Sequence, residues 1–330
     1  MRICHQHDEA RGLRLAVLDE LRAAVGFDAY SWLLTDPETE VGCAPLADVP
    51  CLPELPRLIR LKYLTAVNRW TRLEAPVAFL GAQRDHSLVW RDMLAGYGVT
   101  DVASVVFRDR FGCWAFLELW RIGNARPFTE ADADFLAGMA APVTEALRQC
   151  QARTFDGVPV PPDRTGPVVL MLSSDLEVRA QTEETDRYLR ALVPPDDERR
   201  PVPSGAYNVA AQLLAVEAGV DDHPPWARVH LAGGVWLTLR AARIGDTQPD
   251  IAVTIETASP AERTDVFARA LGLSAREAEL LGHLVAGADT RDVAGRMFLS
   301  EHTVQDHLKS IFAKSGTRNR RTLLARAAGR

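Results

Sequence analysis

Residues 300–316 read SEHTVQDHLKSIFAKSG, and this stretch decides how the C-terminal part of the chain folds. Its apolar residues recur at spacings of four and three, the period of one helix face: Val304, Leu308 and Ile311. Ser300 stands at a position that favours a helix N-cap, and Gly316 stands where a left-handed residue ends a helix. The stretch predicts an amphipathic helix. Its stripe is expected to pack on Val293, Phe298 and Leu299.

The opposite face of this predicted helix is polar. It carries His302, Gln305, Asp306 and Lys309. Amide and cationic donors together with a carboxylate acceptor can contact base edges in a DNA groove. The Thr303 hydroxyl and the helix N-terminus can bind phosphate, and three arginines follow one turn beyond the helix. A plain amphipathic core helix with solvated charges has the same pattern, so periodicity alone leaves both interpretations open.

Three more helices are predicted around this one, and no strand pattern occurs from Leu271 onward. They are Ala275–Ala286 capped by Ser274, Arg291–Met297 capped by Thr290, and Arg320–Ala328. Residues 271–330 are therefore predicted to be an all-α four-helix domain.

Charge is distributed unevenly along the chain. The formal net charge of the 330 residues is -6, yet residues 271–330 hold ten Lys or Arg against six Asp or Glu. The last thirty residues hold seven bases and two acids. An acidic body joined to a basic tail is the pattern expected when a phosphate-binding domain is attached to another part.

The run from Leu273 to Arg326 resembles the helix-turn-helix of the LuxR and NarL family of bacterial transcription regulators. The segments that carry the resemblance are LSAREAELLGHLVAG (273–287), FLSEHTVQDHLKSIFAKSG (298–316) and TRNRRTLLAR (317–326). The resemblance implies that the third helix faces the groove of double-stranded DNA. It also implies that Glu277 organises the domain, that Val304 lies in the core and at the groove edge, and that Arg320 lies near the DNA backbone.

Residues and resemblance together predict nine DNA contacts. They are His302, Thr303, Val304, Gln305, Asp306, Lys309, Arg318, Arg320 and Arg321. The chain departs from the family pattern at Ala288–Arg291 and at Gln305, where many members carry Lys, which allows weaker or differently specified binding. Asp306 would place a negative charge near the DNA phosphates. It can accept from a cytosine amine or repel wrong sequences, and the sequence leaves both open.

The last predicted helix carries a small apolar face at Leu323 and Leu324 that the core of the domain is not expected to need. In relatives this face pairs two copies. The resemblance thus implies a homodimer that places two recognition helices about one DNA turn apart on a roughly palindromic site.

Residues 1–155 are predicted to form an α+β sensor domain that resembles GAF domains. The resemblance rests on a strand near Tyr30, a central hairpin and the motif PFTEADADFLAGMAAPV at 127–143. The predicted helices are Leu13–Val25, Arg57–Trp70 and Phe128–Arg153, and the predicted strands are Phe27–Leu34, Val102–Arg108 and Cys113–Arg121. Thr35–Pro56 is rich in Pro, Gly and acids and is predicted as a loop.

Residues 166–258 are predicted to be a second α+β sensor domain, after a proline-rich linker at 155–167. It resembles PAS domains through VVLMLSSDLEV (168–178), TEETDRYL (182–189) and IAVTIET (251–257). The predicted strands are Val168–Leu172, Trp226–Leu231, Val235–Ile244 and Ile251–Thr257, and the predicted helices are Thr182–Leu192 and Tyr207–Ala218. Ser259 and Pro260 are predicted to start a connector.

Both sensor families often enclose a small-molecule pocket. Large aromatics near the strands of the first domain are its candidate lining: Trp32, Trp70, Trp90, Phe107 and Trp114. Most aromatics in such places belong to the core. Cys4, His5 and His7 lie together at a chain end that is expected to be disordered, so no metal site is expected there. Cys113 is expected to be a small buried hydrophobe.

Several protein classes are excluded by what the sequence lacks. No apolar run spans a membrane and no secretory signal is present, while five scattered cysteines fit a reducing cytoplasm. A phosphorylated receiver domain needs a lysine at the end of a late strand, and Lys62 is the only lysine before residue 309, so this class is excluded. No catalytic motif occurs. No enzyme activity and no cofactor are expected.

The sequence therefore predicts a multidomain transcription regulator, with GAF-like and PAS-like sensor domains followed by a LuxR-type helix-turn-helix at 271–330. Its expected partners are double-stranded DNA, a second copy of the chain and an unidentified small-molecule effector. The alternative is a ligand-binding or partner-binding sensor whose C-terminal helices serve only dimerisation.

Overall fold

The computed structural model of the chain describes residues 7–156, 168–185, 204–231, 234–245 and 250–329. The first part contains helices α1 (Ala10–Ala24), α2 (Leu55–Leu64), α3 (Leu88–Asp92) and α4 (Glu130–Arg153), and strands β1 (Ala29–Thr35), β2 (Gly42–Asp48), β3 (Val77–Phe79), β4 (Val99–Asp109) and β5 (Gly112–Ile122). The middle part contains β6 (Val169–Leu172), β7 (Val178–Gln181), α5 (Ser204–Glu217), β8 (Trp226–Leu231), β9 (Val235–Ile244) and β10 (Asp250–Thr257). The last part contains α6 (Pro260–Ala270), α7 (Ala275–Val285), α8 (Thr290–Met297), α9 (Glu301–Ser315) and α10 (Arg320–Ala328).

The first five strands form an antiparallel sheet in the order β2-β1-β5-β4-β3. The predicted hairpin is its centre, with Val102 opposite Trp120 and Phe107 opposite Ala115. The turn needs a glycine at Gly112, because its φ is 148° and an added Cβ would lie 2.2 Å from the Pro37 carbonyl oxygen. The remaining strands form a second sheet in the order β7-β6-β10-β9-β8, in which β6 pairs antiparallel with β7 and with β10.

The described residues group into two compact units. One contains residues within 1–147, 164–229 and 238–256, and the other contains residues within 148–163, 230–237 and 257–330. The first unit thus combines the predicted GAF-like segment with most of the predicted PAS-like segment. The two-sheet α+β body followed by helices agrees with the predicted class of fold.

Two buried ion pairs join these segments inside the first unit. Arg228 donates from Nε to Asp36 Oδ2 at 2.7 Å and from Nη2 to Asp36 Oδ1 at 3.0 Å. Arg69 donates from Nε to Asp221 Oδ2 at 2.6 Å and from Nη2 to the Gln212 side-chain oxygen at 2.8 Å. Because a buried charge is tolerated only with a partner, these contacts fix how β1 and α2 lie against α5 and β8.

Asp221 lies in a cluster with Asp222 and His223 whose possible metal-ligand atoms fall within 4.8 Å of one another. The oxygens of Asp221 already accept from Arg69, from the Thr71 hydroxyl at 3.0 Å and from the His223 backbone at 3.2 Å. The cluster is therefore an ion-pair network around a buried arginine.

The second unit has its own aromatic core. Phe155 stacks on Trp236 with ring centroids 5.3 Å apart and meets the edge of Phe267 at 5.3 Å. The buried Arg263 of α6 donates to the Gly234 carbonyl at 2.5 Å and to the Arg326 carbonyl at 3.2 Å. Helix α10 is thereby held against α6, and the five helices α6–α10 belong to this one compact unit.

Three local predictions were wrong. Thr35–Pro56 is not a loop throughout, because it contains β2, an edge strand that accommodates Pro45. Ser259 and Pro260 do not start a connector: Ser259 caps α6 in a capping box with Glu262, and Pro260 is its first residue. The N-cap of α8 is Asp289 rather than Thr290.

Other local predictions are confirmed or lie outside the described residues. Ser274 and Ser300 cap α7 and α9, and the hairpin and the strands β8–β10 lie where they were expected. Helix α2 ends at Leu64 instead of continuing to Trp70. Most of the predicted helix Thr182–Leu192 and of the linker at 155–167, together with Cys4 and His5, lies outside the described ranges.

The cysteine thiols of the described chain are reduced and buried. They belong to Cys43, Cys51, Cys113 and Cys150. Burial raises the pKa of the Cys113 thiol to about 12, which keeps it protonated and unreactive at neutral pH, as a small hydrophobe. Among the described helices, none combines the length and the apolarity that crossing a bilayer requires.

Candidate nucleic-acid interface

Helix α9 turns an apolar stripe inward and a polar face outward. The buried stripe is Val304, Leu308 and Ile311, as predicted. The side chains of His302, Asp306 and Lys309 keep 84%, 54% and 72% of their surface exposed, and Gln305 is exposed beside them. Donors and an acceptor therefore project from a rigid 15-residue helix, which is the arrangement that base-edge contacts in a major groove require.

Asp306 organises the charges on this outward face. Its Oδ1 accepts from Lys309 Nζ at 2.9 Å, and its Oδ2 lies 3.6 Å from His302 Nε2. The hydrogen bond from Lys309 holds the pKa of the Asp306 carboxyl below its usual value. The carboxylate thus bonds Lys309 one turn further along the helix, and His302 lies beside it one turn before.

The N-terminus of α9 is closed by two hydroxyls. Ser300 Oγ accepts from the Thr303 backbone N–H at 3.1 Å, and the two hydroxyl oxygens lie 2.8 Å apart. Thr303 is half-buried. Hydroxyls and free N–H groups at this end can contact a phosphate, because the helix dipole favours negative charge there.

A buried carboxylate locks α9 onto α7. Glu277 Oε1 accepts from the Ser310 hydroxyl at 2.5 Å, and Oε2 accepts from Lys314 Nζ and from the Ser274 backbone N–H, both at 2.6 Å. Burial would raise the pKa of the Glu277 carboxyl, but the bonds from Lys314, Ser310 and Ser274 outweigh it and lower that pKa to about 2. Glu277 thus joins the N-terminus of α7 to α9.

The three arginines beyond α9 have different environments. Arg318 and Arg321 are exposed, whereas Arg320 is half-buried and its Nη2 donates to the Ala288 carbonyl. Arg320 therefore ties α10 to the α7–α8 connection. Sequence reasoning missed Arg326, which donates to the Ser315 carbonyl at 2.5 Å and fixes α10 against the end of α9.

Comparisons with known proteins identify this helical region. Residues 271–327 match the family model "Bacterial regulatory proteins, luxR family". Helices α7–α10 of this chain are therefore a LuxR-family helix-turn-helix domain. Over 67 residues the chain is 37% identical to a protein of Streptomyces halstedii named "Probable HTH-type transcriptional regulator GfsR". That match spans 20% of this chain and 28% of the relative.

Two solved structures cover different shares of the chain. Escherichia coli SdiA is 11% identical, with 99% of this chain and 94% of that chain covered and a TM-score of 0.37. Vibrio cholerae VqmA is 18% identical, with 50% and 82% covered and a TM-score of 0.17. TM-scores this low do not establish a shared fold for the body of the chain.

Two expectations about the LuxR-family domain need correction. Phe298 does not pack under α9: it ends α8 in the left-handed conformation, with φ 56°, and is 94% exposed. The positive φ turns this side chain into solvent. Val304 is fully buried, so it lies in the core and not at the groove edge.

The face at the end of the LuxR-family domain also differs from expectation. Leu323 is fully buried inside the chain, together with Ala327, because α10 packs on α6 and α7. The core of the domain therefore does need this face, which was predicted to be spare. Leu324 is half-buried and keeps part of its surface accessible.

Of the five aromatic candidates of the first domain, Trp32, Trp70, Phe107 and Trp114 are buried in its core, and Trp90 is half-buried against it. Trp32 and Phe107 stack at 5.2 Å, and Trp70 stacks on Phe116 at 4.3 Å. Trp114 Nε1 donates to Asp109 Oδ1 and Trp90 Nε1 donates to the Val99 carbonyl, each at 3.0 Å.

A cavity of about 220 Å³ lies in the same unit, and none of these five residues lines it. On β1 its wall is formed by Ser31 and Leu33. Trp32 projects from the other face, since neighbours along a strand alternate. A ligand contact by any of the five stays a prediction.

Proposed function

We propose that this chain is a transcription regulator that binds double-stranded DNA through its LuxR-family domain and acts as a homodimer under the control of a small-molecule effector. The observation that carries the proposal is the outward face of α9, where His302, Gln305, Asp306 and Lys309 stand exposed above a fully buried stripe. An amphipathic core helix with solvated charges would account for the exposed polar face, but not for the excess of basic residues in the last thirty residues.

The proposed DNA contacts fall into two groups. The exposed His302, Gln305 and Lys309 would approach base edges, with Asp306 either accepting from a cytosine amine or orienting Lys309. Thr303, Arg318 and Arg321 would contact phosphates. Arg320 and Val304 would support the interface without touching DNA. Arg320 bonds the Ala288 carbonyl, and Val304 is buried in the core.

Two copies of the domain would present two α9 helices to one duplex. A twofold axis predicts a roughly palindromic site with half-sites about one DNA turn apart. Since Leu323 is buried within the chain, the pairing surface on α10 is the side that carries Leu324. An effector can control such a dimer only by binding one of its arrangements more tightly than another.

The test is a binding titration of full-length protein against a labelled duplex from upstream of its own gene, followed by fluorescence anisotropy at several salt concentrations. Phosphate neutralisation predicts that log K falls linearly with log salt. Lys309→Ala is expected to weaken binding by about 1–3 kcal/mol if the lysine reads a base.

Arg276→Ala is the matched control. Arg276 is an exposed cation of the same domain that lies on α7 and is paired with Glu279, and its loss should leave affinity within about twofold. Protein that binds no duplex at low ionic strength would refute the proposal and favour a C-terminal bundle that serves only dimerisation. Equal losses in the two variants would refute the assignment of the α9 face.

A further inference from the structure

Phe298, in the turn between α8 and α9, is exposed far beyond any other large apolar residue that the structure describes. It is 94% exposed, whereas the other exposed residues of this kind range from Val216 at 36% to Ile244 at 51%. Apolar surface in water is unfavourable, and an aromatic ring carries much of it. Packing inside the chain therefore does not explain why position 298 carries a phenylalanine.

The backbone at Phe298 is also one that an aromatic residue rarely adopts. Phe298 is the cap residue at the end of α8 and lies in the left-handed region, with φ 56°. Helices α9 and α10 end in the same conformation, but their cap residues are Gly316 and Gly329, which lack the Cβ that disfavours this region. Strained backbone and exposed apolar surface concentrate at functional sites, and Phe298 combines the two.

The turn that carries Phe298 lies beside the end of α9 that is proposed to meet DNA. Ser300 caps α9, and its hydroxyl oxygen lies 2.8 Å from that of Thr303, a proposed phosphate contact. Two residues of chain span about 7 Å at most, so Phe298 starts close to this cap. In a helix-turn-helix the first helix crosses the DNA backbone and the second enters the major groove. A side chain in the turn between them stands where the protein passes from the backbone into the groove.

The charge next to Phe298 favours DNA as the partner of the ring. Arg296 is the only charged residue from Val293 to Ser300. It is exposed and forms no ion pair within the part of the chain that the structure describes. A free cation beside an aromatic ring suits a surface that offers phosphates next to an apolar group. On the major-groove edge of the base pairs, that apolar group is the 5-methyl of thymine.

We propose that Phe298 reads DNA by packing its ring on the 5-methyl group of a thymine in each half-site. The inference rests on the proposed DNA binding and adds a specificity-determining residue to it. Contact between an apolar side chain and the thymine methyl is one of the ways in which a base is read in the major groove. Binding would remove from water the ring that the free chain exposes. The position in the DNA site that meets the ring should therefore prefer thymine over cytosine, which lacks the methyl group.

The test is a double-mutant cycle between protein and duplex, read by fluorescence anisotropy on the full-length protein. The duplex from upstream of the protein's own gene is made with thymine and again with every thymine replaced by uracil, which removes only methyl groups. Phe298→Asn removes the ring and introduces a residue that tolerates the left-handed turn. It should bind the thymine duplex about tenfold more weakly than wild type, because burial of the ring is lost. On the uracil duplex the same change should cost about twofold or less.

Three controls separate the ring from the fold and from charge. Phe298→Leu keeps an apolar side chain and should bind the thymine duplex within about threefold of wild type. Phe135→Asn removes a phenylalanine of α4 that is 46% exposed, and it should leave affinity within about twofold. The ring neutralises no phosphate, so Phe298→Asn should keep the slope of log K against log salt, whereas Arg318→Ala should reduce that slope by about one.

The melting temperature shows whether Phe298 serves the fold instead. Phe298→Asn should melt at an unchanged or higher temperature, because it relieves a strained backbone and removes no buried contact. A lower melting temperature together with weaker binding would make the residue structural and overturn the inference.

The remaining outcomes are also decisive. Equal affinity of wild type and Phe298→Asn for the thymine duplex would refute the contact, leave DNA binding intact and favour a protein surface as the partner of the ring. Equal losses on the two duplexes would refute the thymine assignment. If wild type binds neither duplex at low ionic strength, the proposed function fails together with this inference.

Discussion

Glu277→Gln removes one negative charge from the interior of the LuxR-family domain while keeping the shape of the side chain. In the folded chain the pKa of this carboxyl is about 2, against an ordinary value of 4.5, because Lys314, Ser310 and Ser274 donate to it. A shift of roughly two and a half pKa units corresponds to about 3 kcal/mol of folding stability at neutral pH. The Lys314 side chain is 36% exposed and can turn to water, so the loss should not exceed this value.

The assay is hydrogen exchange of α7 and α9 amides in the full-length protein. At pH 7, Glu277→Gln should lower their protection by about 3 kcal/mol in opening free energy. The matched control is Glu279→Gln on the same helix, whose ion pair with Arg276 is exposed and should contribute less than about 1 kcal/mol.

The pH dependence supplies a second check. Because the folded-state pKa of Glu277 is depressed, its stabilisation is present above about pH 4.5 and is lost as the pH falls toward 2. The difference between wild type and Glu277→Gln should therefore shrink to less than half by about pH 3. Unchanged protection at pH 7, or a difference that stays constant down to pH 3, would refute the electrostatic account.

Three further predictions concern stability, measured by chemical denaturation. Asp36→Asn should cost about 3–5 kcal/mol, because it removes the buried negative charge that pairs with Arg228 and leaves Glu38, which is 43% exposed, as the carboxylate beside that guanidinium. Hydrogen bonding to Asp221 raises the pKa of His223 above its ordinary value of 6.5. The folding stability that this pair contributes is therefore complete below about pH 6.5 and is lost as the pH rises through the higher pKa of the folded state. His223→Gln should reduce this dependence of stability on pH. Leu323→Ala should cost about 2–5 kcal/mol, since it opens a cavity in a fully buried position.

Each of these predictions has a contradicting outcome. A cost below about 1 kcal/mol for Asp36→Asn would place the ion pair among solvent-exposed pairs. An identical slope between pH 6 and 8 in wild type and His223→Gln would show that the imidazole does not gain a proton on folding. Leu324→Ala is the control for Leu323→Ala, and equal costs would contradict the buried position of Leu323.

The helices of the DNA-binding domain were predictable because their signals are local. Ser274 and Ser300 bond to backbone groups three residues away, and the buried stripe of α9 follows from spacings of three and four. The capping box of α6 was an equally local signal, in Ser259 and Glu262, that the interpretation as a connector overlooked. The hairpin β4–β5 was predictable for the same reason, because its two apolar runs are separated in the chain only by residues 109–112.

The sequence by itself determined the class of domain at the C-terminus, its cap residues and the polar face of α9. Only the tertiary structure decided which partners lie far apart in the chain: Arg228 bonds Asp36, and Lys314 bonds Glu277. It also decided that Leu323 is buried and that Phe298 is exposed. The physical reason is that helix spacing and capping are set within a few residues, whereas burial and charge pairing depend on which distant segments the packed chain brings together.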